Sequence, residues 1–207
     1  MTGPARLEGN HGTVNDITEI AQLVLHERQA RDRGWWESMD GCFAPDSTVR
    51  LSWFAGSGAE FTAGSRRMTG RGHAAVHRLC PPVVDVRGQR AAVELPAAVE
   101  LRTLLDGVQV DLTSYARLVY RAERRLGRWS IHSLDAVYER DVLVPSVPGT
   151  SLRVDPADLV GLRPPYRMLA HVFGRLGYRV GDDLYGEDRP EEVAVLYRRL
   201  FAWLRGA

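Results

Sequence analysis

Between Pro81 and Leu143 the chain offers runs rich in Val, Leu, Thr and Tyr: PVVDVRG, QRAAVELPAAVELRTLL, VQVDLTSYARLVYRAER and RWSIHSLDAVYERDVL. Asp106-Gly107 separates the second from the third and Leu126-Gly127 the third from the fourth. A dipeptide such as Asp-Gly between two alternating runs is a strong hairpin signal, because a two-residue turn needs positive φ at both positions. The stretch therefore reads as an antiparallel meander, which must bury one face. Helices precede it. Asn15 or Asp16 caps a helix in which Ile17, Ile20, Ala21 and Val24 recur at helical spacing, ending near Arg33 before Gly34. A short helix from Trp36 to Cys42 stops before Pro45, and Val49, Leu51 and Trp53 then alternate as in a strand. Residues 55–72, rich in Gly, Ser and Thr, read as a loop, and His73 to Leu79 as a short helix ended by Pro81-Pro82. Helices followed by a meander give an α+β fold in which a curved antiparallel sheet wraps the first helix. Neither a glycine-rich phosphate loop nor βαβ alternation appears, which disfavours a nucleotide-binding sheet.

The ends divide from this unit. Residues 1–14 are polar and Gly-rich and read as a disordered tail, 15–145 as the main domain, and 146–207 as a helical extension. In the extension, Asp155 and Pro156 open a short helix, and Tyr166 to Leu176 forms a second. Asp188 and Pro190 open a third, running to Arg205, whose Val193, Leu196, Tyr197, Leu200, Phe201 and Leu204 form one broad apolar stripe.

Composition excludes several chemistries. All 27 basic side chains of the 207 residues are arginine. Without lysine there is no Schiff base, no pyridoxal anchor and no phosphate-loop amine. The 27 basic and 26 acidic residues leave a net charge of +1 and are interleaved, so no basic stripe points to nucleic acid. No run reaches the roughly 18 apolar residues of a membrane span, and the first residues lack a signal-type apolar stretch; a cytoplasmic location is expected. Cys42 and Cys80, in apolar contexts without metal-type spacing, read as small buried hydrophobes in a reducing compartment.

A few polar residues stand in patterns built for burial. Asp32 lies eight residues beyond Val24, close to the apolar stripe of the first helix. His77 leads into the apolar LCPPVV, with His73 four residues earlier; HxxxH alone is a weak metal signal, and no metal is expected. His132 shares strand parity with Leu134, Ala136 and Tyr138, as Ser114 does with Ala116 and Leu118. Both faces of these runs carry apolar residues, so alternation leaves the inward face open.

The run RDRGWWESMDGCFAPDSTVRLSW, followed in order by GHAAVHRL, SYARLVYR and GRWSIHSLDAVYERD, resembles the scytalone dehydratase and SnoaL-like group of the NTF2-like superfamily over about residues 15–142. The resemblance implies a cone-shaped α+β barrel around one deep apolar pocket, in a homodimer or homotrimer, working without metal or organic cofactor. It implies a dehydratase, isomerase or cyclase acting on a polyketide-, steroid- or terpenoid-like ring compound. Asp32 and His77 match the group's acid/base pair. Ser114, His132 and Tyr138 would then be polar contacts in a pocket lined by Trp36, Trp53, Phe54, Leu118 and Leu134. Arg31 and Leu51 replace two tyrosines of the scytalone dehydratases, Arg102 stands roughly at a histidine and Ala116 at an asparagine. These departures leave open which reaction runs, and keep a non-catalytic binding or assembly module as the alternative. The extension resembles those of some members of the group; it covers the core or an oligomer contact, or acts as a lid.

Overall fold

A computed structural model describes residues 13–206. Helix α1 (Val14–Arg33) starts at Thr13, whose hydroxyl accepts from the Asp16 N–H at 3.0 Å while the Asp16 carboxylate accepts from the Thr13 N–H at 3.2 Å. This capping box moves the expected start back by two to three residues: Asp16 is the returning acid, not the cap. The expected disordered tail lies outside the described residues over 1–12, whereas Thr13 and Val14 already belong to the helix and its cap. Gly34, at φ 71°, closes the helix in the left-handed conformation.

After α2 (Trp36–Asp40), β1 (Phe43–Leu51) and β2 (Phe54–Gly56), the chain forms helix α3 (Gly58–Gly70) where a loop was expected. Ser57 and Glu60 form a second capping box, and Phe61, Ser65 and Met68 bury one face. The glycines that suggested a loop serve close packing. A Cβ on Gly58 would lie 2.5 Å from the Phe43 ring.

Strands β3 (Ala75–Leu79), β4 (Val83–Arg87), β5 (Arg90–Leu105), β6 (Val108–Arg125) and β7 (Arg128–Pro145) follow. β3 replaces the expected short helix. It pairs antiparallel with β5, His77 opposite Val99, and so satisfies backbone groups of β5 that a helix would leave exposed. Asp106 (φ 49°) with Gly107 (φ 82°), and Leu126 (φ 52°) with Gly127 (φ 78°), make the two tight turns of the meander. The sheet order is β2-β1-β7-β6-β5-β3, an open path, with β4 also on β5 and β8 (Tyr185–Gly186) on β7. It is not wholly antiparallel: β1–β7 and β7–β8 run parallel, because neither pair is joined by a hairpin and a long connection permits either direction.

Two bulges bend β7. Arg121 opposes Ser133 and Ala122 opposes Ile131, leaving His132 as the extra residue; Glu139 is skipped likewise between Tyr138 and Arg140. The concave face holds the main core with α1, α3 and α4 (Arg167–Arg175), which contributes Leu169, Val172 and Phe173. On the outer face, Val193, Leu196, Leu200 and Leu204 of α5 (Pro190–Arg205) cover Ala92, Val119 and Val137. The expected Asp155–Pro156 helix is a single 3-10 turn, Pro156–Leu159. Buried Arg163 pins the extension, donating to Asp188, to Tyr166 and to the backbone carbonyls of Asp182 and Leu184. Among the described residues no helix is long and apolar enough to cross a membrane. Both cysteines are free thiols; Cys42 is buried as expected, but Cys80 is exposed beyond the end of β3.

Candidate functional site

The apolar stripe of α1 continues in charge. After Ile20 and Val24 the same face presents Glu27, Arg28 and Arg31, all buried, and Asp32 lies beside them. Because β3 runs past this end of the helix, both Asp32 oxygens engage one residue. The His77 N–H donates to Oδ2 and the ring Nδ1 donates to Oδ1, each at 2.7 Å. With its proton held on Nδ1, the imidazole presents the Nε2 lone pair, 3.4 Å from the Arg28 guanidinium.

The electrostatics fix the protonation states. Burial pushes the His77 imidazolium down, and the charges of Arg28 and Arg31 add to this. Together they outweigh the Asp32 hydrogen bond, and its pKa falls to about 4. Burial alone would raise the Asp32 pKa; the hydrogen bonds and charge of His77, with Arg31, hold it below the usual carboxylate range instead. At neutral pH the pair is a carboxylate and a neutral imidazole. Arg28 is buried against Glu27, its Nε donating at 2.5 Å, and Tyr120 donates to the same carboxylate at 3.3 Å.

His77 lines a cavity, with Asp32 behind it and outside the lining. Ser114, Tyr138, Trp53 and Leu118 line it with His77. So do His73, Met68 and Arg31, and Leu169 and Phe173 of α4. Tyr138 also accepts from the Ser52 N–H at 2.8 Å, and burial pushes its hydroxyl pKa up to about 12.

Four expected lining residues are elsewhere. The bulge at His132 breaks the parity on which it was placed: Ile131 and Leu134 turn to the core, while His132 stacks on Trp203 of α5 with ring planes 6° apart. Leu134 is fully buried but does not line the cavity. Phe54 stands behind Trp53, packed on Trp53 and Phe61, and Trp36 packs on the core beside the Gly34 turn. Arg102 is a surface residue bound to Asp111 at 2.7 and 2.8 Å, not a pocket charge.

His73 precedes β3 and His77 lies within it, so the two do not share the face of a helix. Among the described residues no three His, Cys, Asp or Glu side chains gather as metal ligands would. Sequence reasoning missed Glu27, Arg28 and Tyr120. The signal was present: charges at positions 27, 28 and 31, where the stripe of α1 calls for apolar residues.

Residues 12–135, more than half of the chain, match the SnoaL-like domain family. The chain belongs to that family. An uncharacterized protein of Emericella nidulans is 29% identical over 99% of this chain and 94% of its own length, so its similarity runs through the C-terminal extension as well. Among solved structures, a hexachlorocyclohexane dehydrochlorinase superposes with a TM-score of 0.55 at 12% identity, over 69% of this chain and 96% of its own. A candidate scytalone dehydratase from Novosphingobium aromaticivorans gives 0.52 at 14%, over 68% and 91%. At such identities these likenesses show the fold: the NTF2-like α+β architecture of a SnoaL-like protein.

Proposed function

We propose that this SnoaL-like protein is a cofactor-independent acid/base enzyme, a dehydratase, isomerase or cyclase acting on a polyketide-, steroid- or terpenoid-like ring compound. The observation that carries the reading is His77 at the cavity wall, held from behind by Asp32, which spends both carboxylate oxygens on it. Neutral His77 accepts a proton at Nε2 from carbon next to a carbonyl. Asp32 holds the tautomer and offsets the imidazolium that forms, while Arg28, beside Nε2, steadies the enolate. The proton then returns to another atom of the ring, or a leaving group departs. Walls such as Leu118, Trp53 and Phe173 keep water from competing. Ser114 and Tyr138 are proposed as polar contacts of the substrate.

Arg28 also supports a second reading. A guanidinium 3.4 Å from Nε2 occupies the lone pair a base needs, as suits a binding or assembly module that performs no chemistry. One experiment separates the two. Turnover of candidate ring ketones by Asp32→Asn and His77→Ala should fall by about two orders of magnitude or more against the parent. Unchanged turnover in both variants rejects the enzyme reading.

Free thiols at Cys42 and Cys80 support a reducing, cytoplasmic setting. Half-exposed Val76, Val142 and Val144, in neighbouring registers on the outer sheet face, support a homodimer or homotrimer.

A further inference from the structure

Resting on that reading and naming its substrate more closely, we infer that the ring compound carries a carboxylate, which Arg31 and Ser114 bind inside the cavity. Arg31 is only 8% exposed and brings five N–H donors into a mostly apolar space. Its partners do not use them. One terminal nitrogen meets the weak acceptor Met68 Sδ at 3.7 Å. The other lies 3.9 Å from Asp32 Oδ1, beyond hydrogen-bond reach, and Nε has no partner. Nor is Asp32 free to come closer, because His77 takes both its oxygens.

Arg28, one turn earlier, shows the contrast: it is buried still more deeply, but Glu27 closes its fork. Ser114 Oγ, on a residue 1% exposed, is also without a partner and lines the same cavity. Much of the remaining wall, such as Leu51, Val99, Leu101 and Leu118, is apolar. A planar carboxylate meets these needs together, two oxygens facing the guanidinium fork and one taking the serine hydroxyl as well.

A transient enolate is the other source of negative charge. It exists only during the reaction, whereas Arg31 lacks a carboxylate within hydrogen-bond reach at rest, and Arg28 rather than Arg31 stands at Nε2. The two arginines thus divide the work, Arg28 at the reacting atoms and Arg31 at a permanent anchor.

Equilibrium binding by calorimetry on the full chain tests this, with 2-naphthoate and its neutral isostere 2-naphthamide as probes. The parent should bind the carboxylate about 10- to 100-fold more tightly. Arg31→Met should level the two probes, Ser114→Ala should weaken naphthoate alone, and Arg31→Lys, which keeps charge but loses the fork, should retain part of the preference. Equal binding of both probes, binding of neither, or a preference undiminished in Arg31→Met overturns the inference. Should Arg31→Met fail to fold, an undiminished preference in both Arg31→Lys and Ser114→Ala does so. The catalytic reading fails separately. A carboxylate preference without any turnover that depends on His77 leaves the anchor standing and removes the enzyme; turnover of neutral rings without that preference does the reverse.

Discussion

Asp32 binds His77 through two hydrogen bonds at 2.7 Å and two buried arginines flank the imidazole, so its proton affinity is set first by burial and then by these neighbours. With a pKa near 4, the base is already free in mildly acidic solution. The acid limb of a kcat/KM profile should therefore bend near pH 4, not near the ordinary histidine value of about 6.5. A limb at 6 to 7 would mean that His77 is not the base. The sign for stability follows from the same shift. As pH falls below 6.5 the unfolded chain takes the proton first. The contribution of His77 is thus complete above 6.5 and is lost toward pH 4. Glu27 and Arg28 make a second residue-scale prediction. Arg28→Met strands a carboxylate that is 0% exposed and should cost about 3–5 kcal/mol in denaturant titrations. Replacing both by apolar residues should restore much of that loss.

At the scale of elements, the meander and its tight turns were readable because Asp106-Gly107 and Leu126-Gly127 impose a backbone that few dipeptides allow. Helix α3 was not read. Its Ser57-x-x-Glu60 box is local, but the reason for its glycines is the approach of Phe43 from a distant strand. β3 and the His132 bulge were hidden for a related reason: pairing with a long neighbour overrides the weak preferences of five residues and shifts parity by one. Helix α4 depends on the sheet too. Asp141 on β7 accepts from the Leu169 N–H at 2.8 Å, at the start of the helix that supplies Leu169 and Phe173 to the cavity. Burial pushes the Asp141 pKa up to about 6, against the pull of its backbone hydrogen bonds. The native state thus holds this proton more tightly than the unfolded chain, and loses stability as pH rises from about 4 to 6. This opposes the trend from His77, so the comparison must be between variants. The melting temperature of Asp141→Asn relative to the parent should rise across that window. A constant difference would show that Asp141 does not strain the start of α4.

On the scale of the whole molecule, the C-terminal extension packs against the sheet from Tyr166 onward. Tyr166, Leu169, Val172, Phe173 and Leu184 belong to the main core, and α5 covers a separate apolar patch on the outer sheet face. Deletion of 150–207 should therefore give insoluble protein or one without a cooperative unfolding transition. Deletion of 190–207 alone should leave a folded core that self-associates through the bared Ala92, Val119 and Val137, detectable by light scattering. A soluble, monomeric, cooperatively unfolding 1–149 fragment would show that the sheet and α1–α3 suffice, with α4 only a lid.

The sequence by itself determined the helix-then-meander order, the α+β class and the absence of amine chemistry. It also marked Asp32 and His77 as polar residues in apolar patterns, since spacing and turn chemistry act between near neighbours. The tertiary structure decided which faces turn inward, that Arg31 meets the cavity while Arg102 meets Asp111, and that His132 leaves the site for Trp203. Those outcomes depend on strand register, on a single inserted residue and on which distant group arrives to satisfy a buried charge.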